Sequence, residues 1–89
     1  MAQFAGNEQQ LIHRISGIEG HVRSLKKLIT EGREPNEILM QIASIRAAMK
    51  RLSHVLFEEY VEATLTGIDS TDSRSTAIAD IRAALETLL

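Results

Sequence analysis

Arg46, Lys50 and His54 follow one another at intervals of four residues. On a helix that spacing stacks them along one ridge, where like charges repel by roughly a few tenths of a kcal/mol. Two chemistries suit such a ridge. It is either a solvated face whose repulsion is relieved by carboxylates of a partner helix, or a stripe facing a polyanion, relieved when phosphates bind and counterions leave. Periodicity alone does not decide between them. Arg51 lies to the side of the ridge. Earlier in the chain, Arg14 and His21 are seven residues apart and share a helix face. Arg23, Lys26 and Lys27 gather nearer the end of that segment, where a helix dipole favours cations and no further reason is required.

Other chemistries are excluded by what the chain lacks. Its 89 residues include no cysteine, which rules out disulfides, thiolate metal sites and thiol redox reactions. The three histidines are the remaining soft ligands. His13 and His21 are eight residues apart and so offset around a helix axis, and His54 sits on the basic ridge; no metal ligands and no cofactor are expected. No nucleophile and base can be paired, so no enzymatic activity is expected. Apolar runs are too short for a membrane span, and MAQFAGNEQQ has neither the basic start nor the apolar core of a signal peptide. The expectation is a cytoplasmic protein with no membrane partner. The net charge of −2 is unevenly spread, with eight Lys/Arg against four Glu over residues 14–51 and two Arg against seven acids over 52–89. The first of these stretches suits a polyanionic partner.

The elements that must carry these side chains are marked by apolar spacing. Leu11, Ile15, Ile18, Val22, Leu25 and Ile29 alternate steps of four and three, as do Ile38, Ile42, Ile45, Met49, Leu52 and Leu56. These are heptad seams on helices. Pro35 suits the first turn of the second helix, where its missing N–H costs nothing, and Glu34 and Glu37 sit where the dipole favours acids. Gly67 ends that helix, a polar connector follows, and Ile78, Ile81, Leu85 and Leu88 mark a shorter third segment. The spacing predicts one all-α domain over residues 1–89, with helices over about 7–31, 35–65 and 76–88 and a linker over 67–75. The short loop between the first two makes them antiparallel.

Leu39, Ala43, Ala47, Ala48 and Val55 widen the apolar face of the second helix beyond what one hairpin covers. A homo-oligomer is therefore expected, with paired hairpins forming an antiparallel four-helix-bundle dimer. Gly17 and Gly20 each cost about 1 kcal/mol in a helix relative to Ala and are read as sites of close approach by a neighbouring helix or as a locally poor helix. Lys50 and Arg51 precede Glu58, Glu59 and Glu62 along the second helix, the reverse of what its dipole favours. The acids are expected to pair with Arg74 or Arg82 of the third helix, or with a basic effector.

The strings RISGIEGHVRSLKKLI (14–29) and ILMQIASIRAAMKRL (38–52) resemble the small helical bacterial repressors named for the copper-sensitive operon repressor, a group that includes the nickel/cobalt and formaldehyde repressors. The likeness runs from about Leu11 to Leu65 and is carried by Arg14, Ile18, Gly20, Leu25, Leu39, Gln41, Ile42, Ile45 and Arg46. It implies three-helix protomers, four-helix-bundle dimers pairing into tetramers, and repression by binding a double-stranded DNA operator without a helix-turn-helix. Arg14 and Arg46 match positions the family uses for DNA contact; Lys50 extends the ridge and Arg51 flanks it, and these four are the expected DNA-binding residues. Family members carry further basic residues after Arg14, where this chain has Ser16, Gly17 and Glu19.

The resemblance also marks the sensing positions. Where relatives have a cysteine opening the second helix this chain has Pro35, and their later ligand pair corresponds to Tyr60 and Thr64. Neither is a ligand suited to copper, nickel or cobalt. The formaldehyde type needs the same cysteine and a proline at the position of Ala2. The expectation is thus a repressor without the usual metal or thiol sensor, answering an unknown small-molecule effector or none. Tyr60 is read as a seam residue or as the mark of an organic effector pocket. The alternative is a helical oligomeric interaction module with weak or no specific DNA binding.

Overall fold

The computed structural model describes residues 7–89; Ala2 lies outside them. Over that range the chain forms α1 (Glu8–Thr30), α2 (Pro35–Thr66) and α3 (Thr71–Leu88), with no strand among the described residues. The all-α, three-helix class read from the sequence is the one observed. Two compact units divide the chain, one ending at Leu52 and the other beginning at Ser53. The first holds α1 and the opening of α2, the second the remainder of α2 and α3.

The turn of the first unit is built by Gly32. The backbone N–H of Gly32 donates to the Ile29 carbonyl and that of Arg33 to the Leu28 carbonyl, both at 3.1 Å, which is a Schellman ending of α1. Gly32 has φ +68°, a conformation that costs a residue with a Cβ about 1–2 kcal/mol. Arg33 then reaches Glu37 of α2 at 2.7 Å and Glu31 at 3.6 Å. Gly32→Ala is expected to lower unfolding stability by about 1 kcal/mol, measured by urea denaturation with the helical signal below the transition unchanged.

Packing in this unit splits each heptad seam into two ranks. Leu11 is buried and Ile18 and Leu25 are half-buried on α1, as are Leu52 and Ile38 and Ile45 respectively on α2. The other rank, Ile15, Val22 and Ile29 with Ile42 and Met49, is exposed. Gln41 Nε2 donates across the hairpin to the His21 carbonyl at 3.0 Å. Gly17 and Gly20 do not mark close approach within the chain, because a Cβ at either would meet nothing within 4 Å.

In the second unit α3 starts at Thr71, earlier than the expected 76. Ser70 Oγ accepts from the Ser73 N–H at 3.1 Å and Ser73 Oγ accepts from the Ser70 N–H at 3.0 Å. This reciprocal capping box starts a helix where no apolar periodicity announces one. Ala77 is buried and Ile81 and Ala84 are half-buried, whereas Ile78, Leu85 and Leu88 are exposed. Among the described residues salt bridges involve only Lys27, Glu31, Arg33 and Glu37. Glu58, Glu59 and Glu62 therefore pair with neither Arg74 nor Arg82. Arg82 follows half-buried Ile81 and is carried about 100° around α3 from it, into solvent.

Candidate nucleic-acid interface

Arg14, Arg46, Lys50 and Arg51 are all exposed and lie in the first unit. None forms a salt bridge among the described residues. The hairpin brings two of them together. Arg14 on α1 and Arg51 on α2 border one cleft, whose other lining residues are Gly17, Ile18, His21 and Ala48. Arg46 and Lys50 are not part of it. Around α2, Arg51 is about 100° from Lys50 and about 140° from Arg46, so ridge and cleft occupy different faces.

His21 is the residue that sequence reasoning did not assign to this group. Its spacing from Arg14 was legible within one helix; its place opposite Ala48 and Arg51 depends on the register of α1 against α2. A depression beside Arg14 also holds Gln9, Gln10 and His13. His54, exposed on α2, belongs to the second unit and lines none of these hollows.

A second groove of the hairpin is apolar. Ile15, Ile18, Val22, Met49 and Leu52 line it, with Glu19, Arg23 and Lys26 completing its wall. Ile18 borders both hollows. One hairpin thus offers a cationic cleft and an apolar groove back to back, the first suited to anions and the second to burial against another apolar surface.

Of the residues that the resemblance matches to sensing positions, Pro35 lies in the first unit and Tyr60 and Thr64 in the second. Pro35 is the first residue of α2 and has no donor atom in its side chain. Tyr60 and Thr64, one turn apart, are half-buried. Tyr60 lines an apolar hollow with Leu56, Phe57, Ala84 and Leu88, and the Thr64 carbonyl accepts from the Gly67 N–H at 3.3 Å. Hydroxyl oxygens and a proline are a poor donor set for copper or nickel, which favour thiolate and imidazole. Among the described residues no three His, Cys, Asp or Glu side chains gather where they could hold a metal ion. Pro35, Tyr60 and Thr64 by themselves do not fit a copper or nickel ion.

Comparison with known proteins follows the same lines. A family model described as "Metal-sensitive transcriptional repressor" matches residues 7–88. The chain is 34% identical over 53 residues to the copper-sensing transcriptional repressor CsoR of Bacillus subtilis (strain 168), a match covering 60% of this chain and 52% of that protein. It therefore spans about half the length of that relative. It is 29% identical over 71 residues to an uncharacterized protein in the bioA 5' region of Serratia marcescens, covering 80% of this chain and 78% of the other. Among solved structures, the nickel-responsive transcriptional regulator InrS superposes with a TM-score of 0.86 at 29% identity over 92% of each chain.

Proposed function

The chain belongs to the metal-sensitive transcriptional repressor family, whose members are regulators and not enzymes, and from that premise we propose that it is a homo-oligomeric repressor that binds a double-stranded DNA operator without the usual metal or thiol sensor. The observation that carries the DNA-binding part is the set of exposed, unpaired cations on the α1–α2 hairpin: Arg14 and Arg51 at one cleft, Arg46 and Lys50 on the ridge. Self-association, as a dimer or a dimer of dimers, is supported by the exposed rank of Ile15, Val22, Ile29 and Met49.

Absence of the sensor is supported by the lack of cysteine and by Pro35, Tyr60 and Thr64 at the sensing positions. An unknown small-molecule effector, or none, then governs release of DNA. No described helix is long and apolar enough to cross a membrane, and the cytoplasm is the compartment in which an operator is met.

The test is binding of the purified protein to the DNA upstream of its own coding sequence. Affinity is expected to fall by roughly a thousandfold or more between about 50 mM and about 200 mM salt, as expected for six or more phosphate contacts. Arg46→Ala should reduce the log–log salt slope by roughly 1 for each protomer whose Arg46 meets a phosphate, while copper(I) and nickel(II) leave affinity unchanged. Salt-insensitive or absent binding would sink the repressor reading in favour of the interaction module. Metal-dependent release would sink the sensor reading alone.

A further inference from the structure

We propose that the hollow between the second half of α2 and α3 binds a flat, uncharged aromatic molecule carrying a hydroxyl or carbonyl group. This gives a chemical class to the effector left unnamed above, and it rests on that reading for its consequence, release of DNA. Ser53, Leu56, Phe57 and Tyr60, at helical spacing along α2, form one wall, and Ala84 and Thr87 of α3 belong to the other. All lie within the second unit. The hollow has a volume of about 480 Å³, inside the range of roughly 300–1,000 Å³ for small-molecule sites.

Its lining selects the occupant. Two Arg and seven acids fall within residues 52–89, yet no charged side chain borders the hollow. An ion there would leave water without a counter-charge, so an uncharged guest is favoured. The chain has two phenylalanines, one tyrosine and no tryptophan. The two of these that fall among the described residues, Phe57 and Tyr60, both line this hollow. Two rings on one wall favour an aromatic guest, packed in offset stacking or edge to face. Ala84 on the other wall leaves space that a larger side chain would fill.

The hydroxyls decide between a small molecule and a helix of a second copy. Among the described residues, neither the Ser53 nor the Tyr60 hydroxyl takes a side-chain hydrogen bond. Thr87 Oγ1 donates to the Ala83 carbonyl at 3.1 Å and so offers a guest only its lone pairs. Ser53 and Tyr60 stand seven residues apart, about 10 Å along the helix, with the apolar Leu56 and Phe57 between them. A covering helix with an apolar face has its backbone donors and acceptors used internally, and it would leave both hydroxyls unpaired. A guest with a hydroxyl or carbonyl at one end pairs with one of them while its ring covers the apolar floor.

The experiment titrates 2-naphthol, a neutral aromatic with one hydroxyl, into the full chain while NMR follows the ring signals of Phe57 and Tyr60, with and without the upstream DNA. Saturable shifts at about 1 mM or below are expected. The carboxylate 2-naphthoate should bind at least about tenfold more weakly. Ala84→Leu should weaken 2-naphthol binding by about tenfold or more with Tm held, since leucine is nearly as good a helix former. Of Ser53→Ala and Tyr60→Phe, the one that removes the hydroxyl meeting 2-naphthol should weaken binding by about three- to tenfold.

No saturation in the wild-type chain, equal binding of the carboxylate, or undiminished binding by all three variants overturns the proposal. Shifts of the same ring signals on dilution of the protein alone would show a second copy covering the hollow, and overturn it equally. Saturation that weakens binding to the upstream DNA supports both the site and its effector role. If saturating 2-naphthol leaves DNA affinity unchanged, the effector role is overturned. If the protein binds 2-naphthol in the hollow and binds no DNA, the repressor reading fails and the site stands.

Discussion

Val22→Asp is expected to break the oligomer into monomers and take DNA binding with it. Val22 is 43% exposed in the single chain and lines the apolar groove with Ile15, Met49 and Leu52. In an isolated chain an aspartate there stays hydrated, so helix content should survive. In an assembly that covers the groove, an unpaired carboxylate is carried out of water, at a cost of about 3 kcal/mol or more. That corresponds to at least roughly a hundredfold weaker association. A two-fold interface contains the substitution twice, which enlarges the effect. DNA affinity should fall as well, because a monomer keeps only its own phosphate contacts. Sedimentation measured alongside circular dichroism decides the matter: a wild-type mass for Val22→Asp would show that this groove is not the self-association surface.

The second large effect falls on Leu52. Only Leu11, Leu52 and Ala77 are buried among the described residues. A leucine truncated to alanine in a packed site costs about 2–5 kcal/mol, through lost transfer energy and the cavity left behind. A chain of this size has about 4–13 kcal/mol in total. Leu52→Ala should therefore lower Tm by roughly 10–25 °C. Leu89→Ala is the contrast, since Leu89 is 97% exposed and substitutions at such positions stay within about 0.5 kcal/mol. Equal thermal shifts in the two variants would contradict the place given to Leu52 in the core. Because Leu52 also lines the apolar groove, the concentration dependence of Tm separates lost intrachain packing from lost association.

Much of the fold was legible before any coordinates, and the reasons are local. Alternating steps of four and three identify helices because 3.6 residues make a turn. Pro35 and Gly32 mark the ends of the hairpin helices because one lacks an N–H and the other tolerates φ +68°. The start of α3 was misplaced because Ser70 and Ser73 begin that helix with hydroxyl hydrogen bonds, and a serine-rich stretch reads equally well as linker. The pairing expected between Glu58, Glu59 or Glu62 and Arg74 or Arg82 failed for a different reason. Opposite charges on two helices meet only if both rotations bring them face to face, and the face of α3 chosen by Ala77, Ile81 and Ala84 turns Arg82 outward.

The candidate site divides in the same way. The cations Arg14, Arg46, Lys50 and Arg51, and the missing cysteine that removes thiolate sensing, are properties of the sequence itself. The Arg46–Lys50 ridge is also intrinsic to it, since spacing within one helix follows from backbone geometry alone. Only the tertiary structure joins Arg14 and His21 to Arg51, sets that cleft apart from the ridge, and divides each seam into a covered and an open rank. Those facts depend on the register and rotation of α1 against α2. Packing sets them through pairs of residues such as Gln41 and His21, whose meeting across twenty positions of chain leaves no periodic trace in either helix.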